Sequence, residues 1–408
     1  MTAPGERPWR DLRVLLHREG AAIALISFAT FLGNGMLFPV LPLYLDHLGA
    51  SGAVIGLGLA VLGLGEGLCG FSWGVVTDHR GVAIPLAVFV VGSVLAYAGL
   101  ALLPAIAAAL ALRFVLAALG AAIWPAGRGY FVRAVPLRSK GLAVAAFAVM
   151  IASGMSAGGF LSGVIVERGG FGAVFWVLAA VTAAIGVAAI PRLRFAPPAP
   201  PAAGGGEDPA AAARGIITPP VLTVGAIVAL VAGAYGSVLS FVPLLMAEAG
   251  LPAGRIGAVF GVGTAASLLI LPFAGHFADH GRRRTMIGAL AAYALAIAAL
   301  AVARGFWPVL LATTLMFLSR WAGDPAMVAL LSDVVPPHLQ GRAQGLHVIA
   351  FDLGLIGAPT IAGALWDRWG PPATFGFAAL LAAAALGVAA LRIPRGEWRN
   401  DGGALSAG

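Results

Sequence analysis

The chain has 408 residues, 60% of them hydrophobic and 10% charged, against about half and about a quarter in ordinary soluble domains. Its apolar residues form runs such as Ala21 to Leu45, Val221 to Met246 and Thr374 to Leu391, long enough to cross roughly 30 Å of hydrocarbon as helices, which excludes a soluble single domain. The net charge of +8 comes from 24 arginines and one lysine set mostly between those runs, where basic residues orient membrane helices, so it does not point to nucleic acid.

In chain order, the apolar runs and their Gly, Pro and charge punctuation predict twelve spans, near residues 21–45, 52–76, 82–104, 106–131, 141–166, 171–190, 218–247, 254–278, 285–303, 305–332, 343–366 and 371–391. Runs such as Leu86 to Leu103 lack the alternation of a membrane barrel, so the expected fold class is an all-α membrane protein. The first run is too long for a signal-peptide core and is read as a retained span. Between spans 6 and 7, Pro191 to Pro220 holds eight prolines, the Gly204-Gly205-Gly206 run and the acids Glu207 and Asp208, the composition of a solvated linker. The expected organisation is a six-helix bundle over 1–190, a cytoplasmic linker over 191–220, and a second six-helix bundle with a short cytoplasmic tail over 221–408. The single cysteine, Cys69, leaves no disulfide framework or cysteine metal site.

With the amino terminus inside, the even-numbered connections and both tails hold 18 of the 25 basic residues, and the opposite side holds four, Arg168, Arg255, Arg304 and Arg368. That bias places both termini in the cytoplasm of a multi-pass cell (inner or plasma) membrane protein. Arg113, Arg128 and Arg320 fall within spans.

The chain also repeats itself. An offset of 201 residues superposes Gly35 on Gly236, Pro42 on Pro243, Gly49 on Gly250, Ile55-Gly56 on Ile256-Gly257, Gly74 on Gly275 and Asp78 on Asp279. An offset of 200 then superposes Pro125 on Pro325, Pro136 on Pro336, Gly141 on Gly341, Gly163 on Gly363, Glu167-Arg168 on Asp367-Arg368, Gly170 on Gly370 and Phe175 on Phe375. A constant offset through prolines and charged residues predicts two six-span halves of one orientation, enclosing a site at their interface and rocking about it.

Several motifs fit one family. Gly74, Asp78 and Arg80, with their partners Gly275, Asp279, Arg282 and Arg283, resemble the loop signature of the major facilitator superfamily, with Val82 and Ala83 where basic residues are usual. The run from Ser332-Asp333 through Pro336 to Gly341-Arg342 is similar to the family's loop between spans 10 and 11, and Arg113 to its span 4 arginine. Gly154, Gly158 and Gly159 resemble the glycine-rich antiporter motif of span 5, with Met155 in place of proline; Phe38-Pro39 and Pro42 with Gly33 and Gly35 look like span 1 of drug exporters. The chain thus resembles the drug:proton antiporter branch. That resemblance implies the twelve-helix major facilitator fold, a monomer, a cytoplasmic gate at the paired loop motifs, and a central cavity lined by spans 1, 4, 7 and 10. The alternative use of any one of these glycines is close helix packing. His276 and His280 stand one turn apart, but no glutamate follows the first, so no metal site is expected.

Five ionisable residues fall well inside spans: Glu66, Arg113, Arg320, Asp324 and Asp352. Unpaired, they would cost roughly 12 to 18 kcal/mol together, so they must be paired, hydrated or neutral. Arg320 and Asp324 stand one turn apart, a spacing that suits either an internal salt bridge or a transport role, and Asp324 precedes the kink-forming Pro325. Glu66, between Gly65 and Gly67, is either a proton carrier or a hydrogen-bonded acid that holds spans 2 and 11 together with Asp352. The proton-coupling candidates are Glu66 and Asp324, with Asp352 as a gating or structural acid.

The presumed cavity offers Asn34, Tyr235, Ser237 and Ser240 beside Arg113, Arg320, Trp124 and Trp321, too few hydrogen-bonding groups for a sugar and better suited to an amphiphilic or lipophilic solute. The expected function is proton-coupled efflux of such a small molecule by alternating access, driven by an ion gradient with no cofactor. The alternative is an organic-anion transporter in which Arg113 and Arg320 grip a carboxylate or phosphate. A non-transporting membrane receptor is a third reading. An enzyme is not expected, because no span carries a nucleophile and base at a recognisable spacing and no nucleotide-binding glycine loop is present.

Overall fold

The computed structural model describes residues 17–136, 139–195, 218–335 and 340–394, with backbone alone at 141, 271–272, 274–280 and 340–342. Most of the expected linker, Pro336, and both chain ends lie outside the described residues. Every regular element among the described residues is helical. Span 1 is Arg18–His47, span 2 Gly52–Arg80 and span 3 Ala83–Leu102. Span 4 starts as Ile106–Gly120 and continues through a wider π-helical stretch, Ile123–Arg128, into the turn Gly129–Arg133. Pro125 sits inside that stretch and supplies no amide to the helical ladder, a setting in which the wider turn forms readily.

Spans 5 and 6 form one helical run, Lys140–Ala189, as do spans 8 and 9, Ala253–Val302. A straight helix of that length would measure about 75 Å, far more than a bilayer's hydrocarbon. The first run breaks at Gly170, whose φ of 73° is left-handed and open to glycine at little cost. Its repeat partner Gly370 has the same φ of 73° where span 11 (Gln340–Trp369) turns into span 12 (Pro371–Arg392). The repeat seen in sequence is therefore also a repeat of backbone shape. Span 7 is Pro219–Glu248 and span 10 is Phe306–Asp333.

Ten stretches of the described chain are long and apolar enough to cross a bilayer, and one of them, Leu142–Arg192, turns at Gly170 and crosses twice. Phe306–Asp333 is not among the ten, because Arg320 and Asp324 lower its hydropathy. It is nevertheless helical from end to end, so the twelve expected segments are all present.

Within the first half, span 1 packs on the span 5 and 6 run, and span 4 packs on spans 2 and 3. The second half repeats this scheme, with span 7 on spans 11 and 12 and span 10 on the span 8 and 9 run. The halves meet along two seams, span 2 against span 11 and span 5 against span 8. Small residues allow this approach. A Cβ at Gly56 would overlap the Pro359 carbonyl, one at Gly63 would stand 2.9 Å from the Asp352 carbonyl, and one at Gly159 would stand 2.7 Å from the Gly261 amide. Among the described residues the seams close only at one end. Farther along span 2, Gly70 and Gly74 face open space, and on span 8 Leu269 and Phe273 are exposed. The halves therefore touch at the face away from the described chain ends (the far face) and diverge toward the terminus-bearing face.

Two glycine substitutions separate packing from propensity. Gly158→Val places a Cβ against the Leu32 carbonyl, and the melting temperature in detergent is expected to fall in line with an overpacking cost of about 1–3 kcal/mol. Gly387→Ala in span 12 meets nothing within 4 Å, and its melting temperature is expected to stay level or rise.

Candidate functional site

Where the seam between spans 2 and 11 ends and the gap between the halves begins, three ionisable side chains gather. Arg113 of span 4 is 2% exposed, so it must find partners inside the protein. Its Nη1 donates to the Asn34 Oδ1 of span 1 at 3.2 Å, and its guanidinium lies 5.9 Å from the Phe38 ring centroid. It also stands within electrostatic reach of Glu66 and Tyr97. Glu66 is half-buried and is approached by the Trp124 indole as well as by Arg113. Asp352, on the facing span 11, is buried and lies in the field of Glu66. Its Oδ2 has no hydrogen-bond partner among the described residues. Gly67 makes room for it, since a Cβ there would come within 3.3 Å of that oxygen.

The second half carries its own charged group. Arg320 donates to Asp324 at 2.7 Å along one turn of span 10, and its guanidinium lies 5.5 Å from the Phe351 ring. Tyr235 packs edge-on against Phe317, with centroids 6.0 Å apart, and within electrostatic reach of Arg320. Two groups that the sequence reasoning left out of the site join this cluster. Arg128, exposed on the π-helical stretch of span 4, and His347 of span 11 both act on Asp324. The Nδ1 of His347 is buried without a partner among the described residues. The one sequence signal for Arg128 was a charge inside a predicted span three residues after Pro125.

The remaining candidates divide clearly. Ser240 lines a small cleft with Phe38, Leu41, Pro42, Leu59 and Arg113, beside the first cluster. Ser237 instead donates to the Gly233 carbonyl of its own helix. Trp124 is partly exposed and packs edge-on with Phe31 and Phe147, while Trp321 crosses from the second half onto the core of the first. Arg113 and Arg320 each engage a partner within their own half, so the structure does not join them in one grip. Gly154 and Gly158 pack on span 1 and Gly159 on span 8. Asp78 and Arg80 are exposed and make no ion pair among the described residues. At Gly275, His276, Asp279 and His280 only the backbone is among the described residues. Arg282 pairs with Asp333, and Arg283 donates to the carbonyls of Ile393 and Ala390 at 2.9 and 3.0 Å, tying this loop to spans 10 and 12.

The family model described as Major Facilitator Superfamily matches residues 23–280 and 224–404. No curated protein matches the sequence. Among solved structures, the chain is similar to a bacterial homolog of the human lysosomal transporter Spinster in an inward-facing, unoccupied conformation, at 15% identity and a TM-score of 0.73, covering 95% of each chain. It is also similar to a point mutant of the nucleoside transporter NupG, at 14% identity and a TM-score of 0.74, covering 90% of this chain and 97% of that one. At such identities the likeness is one of fold.

The geometry around Arg113 has a direct consequence for stability. Arg113→Gln removes the donor to Asn34 and a cation from the field of Glu66, and thermal stability in detergent is expected to drop by about 1–3 kcal/mol. Adding Glu66→Gln should restore part of that loss, a coupling readable in a double-mutant cycle of melting temperatures.

Proposed function

We propose that this chain, which belongs to the Major Facilitator Superfamily, exports a small amphiphilic solute in exchange for protons by rocking of its two halves. The observation that carries this reading is the position of Glu66 and Asp352 on facing spans of opposite halves, where the seam gives way to the open gap. Two ionised carboxylates in a poorly hydrated seam repel each other, and a proton on one removes the repulsion. Rocking the halves changes both their spacing and the side from which they are reached. Solute entry that presses Arg113 toward Glu66 favours the ionised acid and expels its proton, and this competition is what exchange requires.

In this reading the aromatic surface of Trp124, Tyr235, Phe351 and Trp321 receives the apolar body of the solute. Asp324, already held by Arg320, acts as its counter-ion and not as the proton carrier. The basic bias of the even-numbered connections supports a cytoplasmic assignment for the terminus-bearing face. The halves would then stand open to the cytoplasm, ready to load a solute for export.

The organic-anion reading keeps one supporting observation, the cluster of Arg128 and His347 beside Arg320. It uses these groups, and not the Arg113 and Arg320 pair, as the donors to a carboxylate or phosphate.

The test is solute-driven proton movement in proteoliposomes, followed with a pH-sensitive dye against lipophilic cations, neutral amphiphiles and organic anions. A cation or neutral amphiphile is expected to drive proton flux that is lost in Glu66→Gln and in Asp352→Asn and retained in Asp324→Asn. Solute movement without a proton signal, unchanged in all three variants, defeats the antiport reading. Movement confined to organic anions, with KM raised at least about tenfold in Arg128→Gln, selects the second reading.

A further inference from the structure

The far face is closed by more than glycine packing. Asp367, at the end of span 11, accepts hydrogen bonds from the Gly52 amide at 2.7 Å and the Ala53 amide at 3.2 Å, at the start of span 2. Glu167, at the end of span 5, accepts one from the Gly254 amide at 2.7 Å, at the start of span 8. Each contact joins opposite halves. The first-turn amides of a helix have no partner inside it and carry the positive end of its dipole, so a carboxylate is their natural acceptor.

The two contacts are images of each other. Glu167 superposes on Asp367 at the offset of 200, and Ala53 superposes on Gly254 at 201. The glycines make room for both acids. A Cβ at Gly52 would stand 2.8 Å from the Asp367 Oδ1, and one at Gly254 would stand 2.8 Å from the Glu167 Oε1. Beside them the helices touch through backbone, since a Cβ at Gly363 would overlap the Gly52 carbonyl and one at Gly163 the Ala253 carbonyl. The neighbouring Arg368 lies over the Trp369 ring, 5.2 Å from its centroid, which leaves the Asp367 carboxylate to the amides.

We propose that Glu167 and Asp367 are paired gate residues, which hold the far face shut and bias the protein toward the state open at the terminus-bearing face. When the far ends of the halves separate, both carboxylates leave their amides together, because each reaches across the seam. The gate therefore opens and shuts as one two-fold device. This inference rests on rocking of the halves alone and needs neither the proton nor the solute of the reading above.

The test reads the two faces directly by pulsed electron paramagnetic resonance in a Cys69→Ala background. One spin-label pair, Ala105→Cys with Arg304→Cys, spans the far face; another, Lys140→Cys with Arg392→Cys, spans the terminus-bearing face. Without added solute, the unsubstituted gate is expected to give a dominant short far-face distance. With Glu167→Ala and Asp367→Ala together, the far-face distance lengthens and the other shortens, the population ratio shifting about tenfold, or about threefold for each single variant. A misfolded protein would broaden both distances, and then Glu167→Gln with Asp367→Asn, which keeps shape but removes charge, decides with a smaller reciprocal shift. An unsubstituted gate already open at the far face, or gate variants with unshifted distances at both faces, overturns the proposal. Because no solute or proton gradient is applied, this result stands or falls apart from the coupling experiment.

Discussion

A charge in hydrocarbon is expensive, and the inner architecture of this chain follows from that cost. Arg113 is almost fully buried in span 4 and is tolerated because Asn34, Phe38 and Glu66 converge on it from spans 1 and 2. Arg320 is tolerated because Asp324 stands one turn away and Phe351 lies beneath its guanidinium. These partnerships draw spans 1, 2 and 4 together in one half and spans 10 and 11 together in the other. Asp352, whose Oδ2 has no hydrogen-bond partner among the described residues, sits on the contact between the halves in the field of Glu66.

Close backbone approach supplies the second constraint. Helix pairs across the seams touch through glycine, where there is no side chain to interdigitate. Such contacts are geometrically demanding, yet they can part without unpacking a core. A seam of this kind, closed at one end and open at the other, suits rigid halves that rock.

Much of this was legible in the sequence, and the reasons differ by residue. The spans were set by hydropathy, and the repeat by glycines and prolines whose backbone roles recur, as Gly170 and Gly370 show in their matching turns. Span 10 was also legible, although its charges leave it less apolar than the others, because it occupies the place of span 4 in the repeat. The Arg320 and Asp324 pair followed from helical spacing. The meeting of Glu66 and Asp352 was readable as one alternative, because both acids interrupt apolar runs. What sequence reasoning missed depends on contacts between distant segments. His347 joins the site only because span 11 folds beside span 10 and comes within electrostatic reach of Arg128 on span 4. Glu167 and Asp367 were visible as matched acids before matched glycines, but their acceptor role needs the helix starts of the other half. The partner of Ser237 was not legible either, since its hydroxyl donates to the Gly233 carbonyl one turn earlier.

The central claim is that solute and proton compete through the Glu66, Arg113 and Asp352 cluster. Isothermal titration calorimetry of solute binding to the detergent-solubilised protein, repeated in buffers of different ionisation enthalpy, tests it most directly. The account predicts an observed enthalpy that varies with the buffer in the sense of proton release, and a Glu66→Gln variant whose binding enthalpy is independent of buffer. A wild-type enthalpy identical in every buffer would contradict it.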